Sequence, residues 1–311
     1  MQETEVSIII PCYDEAPALP LLYAEFLKLR SLMTGISIEY IFVDDGSRDE
    51  TRDVIRSLVK QDSCVRYVFF SRNFGKEAAI LAGLEASQGK FVVVMDADLQ
   101  DPPELLPELY AAVKDGEYDC AATRRVSRKG EPAIRSFFAR AFYRLMSRIS
   151  DAHIVDGARD YRLMSRRMVD AILSLKEYNR FSKGIFSWVG FETRWFSYEN
   201  IERAAGETKW SFWTLFLYSL EGIMAFSTVP LVFASVLGMV FCLVAFVTIC
   251  VVIAKTVIWG DPVSGYPSLM SVILFIGGIQ LFAIGIVGQY LAKTYLETKN
   301  RPVYIVQEKS I

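Results

Sequence analysis

Short runs of apolar residues alternate with longer amphipathic stretches through the first two-thirds of the chain, separated by clusters of Asp, Gly, Ser, Asn and Pro. The run at 6–11, VSIIIP, is β-branched and unbroken, as a strand covered on both faces should be. Similar runs at 38–43, 65–70, 91–95 and 119–123 predict further strands, with helices over 21–33, up to residue 59, and over 77–86. Strand, helix, strand with short connections predicts an α/β fold whose sheet is mostly parallel. Beyond residue 206 the pattern changes. Residues 210–226, WSFWTLFLYSLEGIMAF, read as an interfacial helix with Trp210 and Trp213 at headgroup level. From 229 to 258 and from 269 to 291 charge almost vanishes, and each stretch can cross a hydrocarbon core, which needs roughly 20 apolar residues. The expected organisation is a soluble domain over 1–206, an interfacial amphipathic helix over 207–228, a two-helix transmembrane hairpin within 229–292 and a tail over 293–311.

The chain has 311 residues, 52% of them hydrophobic, and the surplus lies in those two apolar stretches. A net charge of −2 argues against a general nucleic-acid binder. The N-terminus has no basic region and only a short apolar run, so no cleavable signal peptide is expected. Five cysteines without paired spacing and a single histidine, His153, exclude a Cys- or His-rich metal site and fit a reducing cytosol. With the first span taken as 229 to about 253, only Lys255 and Asp261 lie in the connecting loop, whereas Lys293, Lys299, Arg301 and Lys309 follow the second span, which puts the soluble domain and the tail in the cytosol. Gly277, Gly278, Gly285 and Gly288 allow close helix contact, either between copies in a homo-oligomer or within one hairpin.

The stretch 91–103, FVVVMDADLQDPP, concentrates the chemistry. Period-two geometry turns Asp96 and Asp98 the same way at the carboxyl end of a buried strand, where open α/β sheets keep their ligands. Such carboxylates repel unless a cation joins them. Mg2+ or Mn2+ on Asp96 and Asp98, completed by diphosphate and water, is the expected answer, and a polar turn before Pro103 the alternative. Asp44, another strand-end carboxylate, needs a donor, which a base or a ribose hydroxyl would supply. Ser47 or Asp49 can cap the helix that follows. Neither GxGxxG after the first strand nor GxxxxGK[ST] is present, so a nucleotide would be held by acids and metal. Arg72 and Lys76 are placed to steer a diphosphate, or are surface charges near a helix start. Residues 134–149, IRSFFARAFYRLMSRI, mix aromatic rings with arginines, the composition of a helix at a membrane surface or of an amphipathic helix packed on the sheet.

PCYDE, VDDGSRDET, SRNFGKEAAILAGL and MDADLQDPPE, in this order and spacing, resemble the inverting glycosyltransferases of family 2. The similarity covers essentially the whole chain and is greatest to the membrane-attached polyprenyl-phosphate group, which includes dolichol-phosphate mannose synthases and bactoprenol glucosyltransferases. The resemblance implies a nucleotide-diphospho-sugar transferase domain of the GT-A type. It further implies that Pro11, Tyr13, Glu15, Asp44 and Ser47 surround the nucleotide, while Asp96, Asp98 and Gln100 lie around metal and diphosphate. Asp14 stands where the family commonly has Asn.

Residues 156–166, DGARDYRLMSR, match the region that closes the family's active site, with Asp160 its central acid. A phosphomonoester acceptor, with a second pKa of about 6, is already largely ionised, so Asp160 serves either as a catalytic acid-base group beside Asp98 or as a holder of Arg162 or another arginine. The resemblance assigns Arg124 and Arg135 to the lipid phosphate, and in the acceptor loops 179–184 and 203–210 it points to Arg203 and Lys209 for phosphate and Gly206 for a bend. The QxxRW motif of processive relatives is absent, so one transfer per substrate is expected. The implied reaction moves one hexose, with UDP-glucose the first choice of donor and UDP-N-acetylglucosamine or GDP-mannose the alternatives, to undecaprenyl phosphate or another polyprenyl phosphate. The β-linked product would pass to a flippase and an envelope glycosyltransferase. A reading of another class is a membrane adaptor that binds nucleotide-sugar without turnover.

Overall fold

The computed structural model describes residues 4–125, 155, 157–199, 223–224, 227–259 and 265–310. Its sheet contains β1 (Val6–Cys12), β2 (Ile38–Asp44), β3 (Val65–Phe70), β4 (Phe91–Val94), β5 (Cys120–Arg125), β6 (Ala158–Ser165), β7 (Thr193–Tyr198) and β8 (Val306–Lys309). The strand order is β7-β5-β6-β4-β1-β2-β3-β8. Pairs β1/β2, β1/β4, β2/β3 and β5/β7 are parallel, whereas β6 runs antiparallel to β4 and β5, and β8 antiparallel to β3. The sheet is therefore mixed but mostly parallel.

Four helices follow the first strands in turn, α1 (Leu19–Leu32), α2 (Thr51–Gln61), α3 (Lys76–Ala86) and α4 (Leu106–Val113), and α5 (Arg166–Ser174) and α6 (Ser182–Trp188) come after β6. Val6, Ile8, Ile9 and Ile10 are all fully buried, which explains the unbroken apolar run of β1. Ile8 and Ile10 join Leu22, Phe26 and Tyr40 in the core, where the Phe26 and Tyr40 rings stack at 4.7 Å. On the opposite face α3 comes so close that a Cβ on Gly83 would stand 2.1 Å from Ile9 Cγ2.

The order β4-β1-β2-β3 reverses direction between β1 and β4, and the crevice at the carboxyl ends of those strands is the topological switch point. The β1/β4 ladder closes with Met95 N donating to Ile9 O. Two residues on, Pro11 has no N–H to continue it, so β4 leaves the sheet after Val94. Asp96 and Asp98 consequently lie in the turn beyond the strand. The strand-alternation argument that pointed them the same way does not apply there.

Residues 301–310, read from the sequence as a plain tail, instead supply the edge strand β8. They belong to the same compact unit as 1–225, while Phe226–Asn300 form a second. That second unit consists mainly of α7 (Val229–Trp259) and α8 (Tyr266–Thr298). Within them Val229–Thr248 and Phe275–Thr298 are long and apolar enough to cross a bilayer, with 6% and 0% of these stretches buried. Side chains such as Met239, Val257 and Leu281 are left bare. The hairpin is joined by an edge-to-face contact of Phe241 with Phe275 and a 2.6 Å hydrogen bond from Tyr290 to Ser227 O. Among the described residues, a Cβ on Gly277, Gly278, Gly285 or Gly288 meets no atom within 4 Å.

Candidate active site

Three loops meet at the carboxyl ends of β1, β2 and β3, and backbone-to-side-chain bonds tie them together. Asp14, in left-handed backbone (φ 51), donates its N–H to Ser47 Oγ at 2.9 Å and accepts from Arg48 N at 2.8 Å. Glu15 N donates to Thr51 Oγ1 at 2.9 Å. Asp49 accepts from Thr51 N at the start of α2 and from Ala16 N in the first loop, so it anchors both the helix and its neighbour. Ser47 receives Asp14 and does not cap α2.

Asp45 reaches the other way, accepting from Phe74 N at 2.6 Å and Gly75 N at 2.9 Å. Burial pushes its carboxyl up to about 6, against the pull of those two N–H groups. Gly46 between them has φ +74, and a Cβ there would fall 2.4 Å from Arg72 C, so the second and third loops touch only because this residue is glycine.

Asp44 is completely buried, and two donors of the chain already reach it. Arg52 Nε donates to Oδ2 at 2.6 Å, and Ser47 N lies 3.2 Å from both carboxylate oxygens. A buried carboxylate so paired meets its desolvation cost internally.

The second acidic group centres on Lys76, the first residue of α3. Its ammonium stands 2.6 Å from Asp96 Oδ1 and 2.6 Å from Asp160 Oδ2, which β6 carries in from the antiparallel side. Removal from water works against its charge, but Asp160 and Asp96 outweigh that and raise its pKa. For Asp160 burial likewise opposes ionisation, yet Lys76, then Lys183 and Arg162, hold the carboxyl well below the usual range. Asp98 is buried and accepts from Gln100 N at 3.1 Å across Leu99, which has φ 59. Asp101, buried at the base of this turn, accepts from Tyr198 Oη at 2.8 Å and Arg159 Nε at 3.2 Å, and Arg159 also reaches Gln100 Oε1 at 3.4 Å. Burial raises the pKa of Asp101 and the arginine draws it back. Arg162, buried beside Asp160, lies over the Phe186 ring at 4.0 Å.

Cys12, at the end of β1, has its thiol pushed far up, first by burial and then by Asp44, Glu15, Asp49 and Asp96. Carboxylates of both groups, Asp44, Glu15 and Asp49 from the first and Asp96 from the second, thus lie within electrostatic reach of the end of β1. Arg124, at the exposed end of β5, is held by Ser197 Oγ at 3.0 Å. Arg135, Arg203 and Lys209 lie outside the described residues, as do Gly206 and the helical stretch expected over 134–149. Arg52, Asp45, Arg159 and Tyr198 were not singled out from sequence. For Arg159 the sequence offered only its place beside Asp160 in ARDYR, and strand alternation gave no reason to bring the two together.

Residues 7–173 match the family described as Glycosyl transferase family 2. The chain belongs to that family. It is a glycosyltransferase of the GT-A fold, with two candidate apolar helices after the catalytic domain. Family members similar over nearly their whole length include a protein of Escherichia coli (strain K12) named prophage bactoprenol glucosyl transferase homolog, 41% identical over 97% of this chain and 98% of its own. The bactoprenol glucosyl transferase of Shigella phage SfII is 39% identical over 98% of each chain. Among solved structures, mannosyl-3-phosphoglycerate synthase from Rubrobacter xylanophilus superposes with a TM-score of 0.49 at 17% identity, over 71% of this chain and 72% of its own.

Proposed function

We propose that this glycosyltransferase moves a single hexose, from UDP-glucose in the first instance, to a polyprenyl phosphate with inversion at the anomeric carbon. The acceptor class is supported by the names of relatives that match this chain end to end. The observation that carries the reading is the Lys76 bridge, because it brings a carboxylate of the DxD turn and the acid of β6 to one cation. In this reading Asp44, Ser47, Tyr13, Glu15 and Pro11 bind the nucleoside, Asp96, Gln100 and Lys76 attend the diphosphate, and Arg124 with Arg135, Arg203 and Lys209 receives the lipid phosphate.

Asp96 and Asp98 fit a hard divalent cation of the Mg2+ or Mn2+ kind. They offer carboxylate oxygens, and among the described residues no larger group of Asp, Glu, His or Cys competes to enclose the ion, so diphosphate and water would complete its shell. Bound there, it would neutralise charge on the departing diphosphate. Lys76 can add its own positive charge to the same leaving group. Asp160 is ionised yet saturated with cations, a poor proton acceptor. A phosphate nucleophile needs none, since its attacking oxygen is already anionic near neutral pH. Asp160 therefore holds Lys76, with Lys183 and Arg162 at hand, where two anionic reactants must meet.

We further propose that α7 and α8 cross the membrane as a hairpin with the catalytic domain in the cytosol. The basic residues after the second span support that side. The pairing of β8 with β3 supports an even number of crossings, because chain on both sides of the hairpin enters one sheet. The test is transfer of radiolabel by the purified full chain into undecaprenyl phosphate, comparing UDP-glucose, UDP-N-acetylglucosamine and GDP-mannose with and without chelator. Label in the organic phase from UDP-glucose, abolished by chelator and in D96A/D98A, is the expected result. Label from another donor corrects the sugar, and none from any donor overturns the assignment.

A further inference from the structure

We infer that the C-terminal strand β8 is a working part of the donor site, with Gln307 acting as a positioning residue that holds Arg52 against Asp44. This rests on the reading of Asp44 as a nucleoside contact.

Arg52 uses all three nitrogens of its guanidinium. Nε donates to Asp44 Oδ2 at 2.6 Å, Nη2 to Phe70 O at 2.6 Å and Nη1 to Gln307 Oε1 at 3.0 Å. A planar, rigid fork anchored at three corners has one orientation. Two of those anchors depend on the strand from beyond the apolar hairpin. Gln307 is part of it, and Phe70 is held by it, through pairing with Val306 and through stacking of the Tyr304 ring at 4.8 Å.

The local register explains how a short edge strand does this. Successive side chains of a regular strand point to opposite faces. Here the ladder slips between Phe69 and Phe70, so that Val306 pairs with Phe70 and Glu308 with Phe69. The irregularity lets consecutive residues, Gln307 and Glu308, both reach arginines of α2. Glu308 takes Arg56 at 2.7 Å and the Tyr67 hydroxyl at 2.6 Å, while both arginines lie over the Phe69 ring, at 5.4 Å and 5.3 Å. The strand thus fixes α2 by its first two turns. Through Arg52 it sets the carboxylate at the end of β2, whose oxygens have no water to fall back on.

The test uses the full chain and donor titrations at saturating undecaprenyl phosphate, with whichever nucleotide-sugar supports transfer in the assay above. Q307A should raise the donor KM about 3- to 10-fold, the scale of a weakened hydrogen bond to a charged group. Its kcat and acceptor KM should stay within roughly twofold, and Q307E, which keeps an acceptor for Arg52, should restore the donor KM. D44N separates this relay from the reading beneath it. If D44N raises the donor KM and Q307A does not, the relay is wrong and the Asp44 reading stands. If D44N leaves the donor KM unchanged, the reading of Asp44 fails and the relay falls with it. A Q307A enzyme with lowered kcat, unrepaired by Q307E, would show that β8 supports only the fold.

Discussion

Lys76 and Asp160, 84 residues apart in sequence, form a 2.6 Å ion pair that faces Asp96 on its other side. A carboxylate whose pKa is driven down in this way stays charged throughout the neutral range. The transfer rate should therefore show no limb from Asp160 between about pH 5 and 9. D160N should lower kcat by about 10- to 100-fold, short of the largest effects seen on removing a general base. Initial rates across pH in the wild type, together with kcat of D160N, check both statements. In K76M the two carboxylates lose their shared cation, and the donor KM should rise along with a fall in kcat.

Asp45 has the opposite shift, upward to about 6 through burial. A raised carboxyl binds its proton more tightly in the folded state, so the stability linked to it is present below pH 3.8 and is lost as the pH rises through 6. D45N keeps an acceptor for Phe74 N and Gly75 N without the charge. The difference in Tm between D45N and wild type should therefore move in favour of D45N from pH 4.5 to pH 7, as thermal unfolding at those two values would record.

Asp101, itself fully buried, has a charged, part-buried partner in Arg159 and a neutral one in Tyr198. Removing the arginine in R159L leaves a buried carboxylate with its charge unpaired, a loss of about 3–5 kcal/mol. Y198F removes one hydrogen bond and should cost about 1 kcal/mol. Denaturant unfolding of the two variants should place them in that order, with the DxD turn the first region to lose protection from hydrogen exchange in R159L.

G46A puts a Cβ 2.4 Å from the backbone of Arg72 on a residue with φ +74. The second and third loops must then separate, which breaks the Asp45 bonds to Phe74 and Gly75. Donor affinity should drop by at least about tenfold while the far-UV spectrum stays that of the wild type. Equilibrium binding of the nucleotide-sugar and circular dichroism measure the two sides of this expectation.

Much of the frame could be read from residue pattern. The strands β1 to β4 declare themselves because apolar residues dominate them, with Glu39 and Arg66 meeting as an ion pair, and the two long helices because they are apolar almost throughout. The acids of the DxD turn were visible, but their geometry was not, since it follows from Pro11 ending a ladder in a different strand. Arg52 looks like any arginine on an exposed helix until its three partners are seen. Sequence alone also hides β8. VQEK has no apolar alternation, because an edge strand with exposed side chains draws its stability from backbone pairing with β3 and from the arginines of α2.

That edge has a consequence for the order of events in synthesis. The ribosome makes β8 only after both apolar helices, so β3 waits with an open side until the hairpin has been made and, on the proposed topology, has entered the bilayer. On the present reading the donor pocket tightens only when the strand arrives. A polypeptide stalled or misinserted at the membrane would then be a poor consumer of nucleotide-sugar, and assembly would act as its own checkpoint against idle turnover.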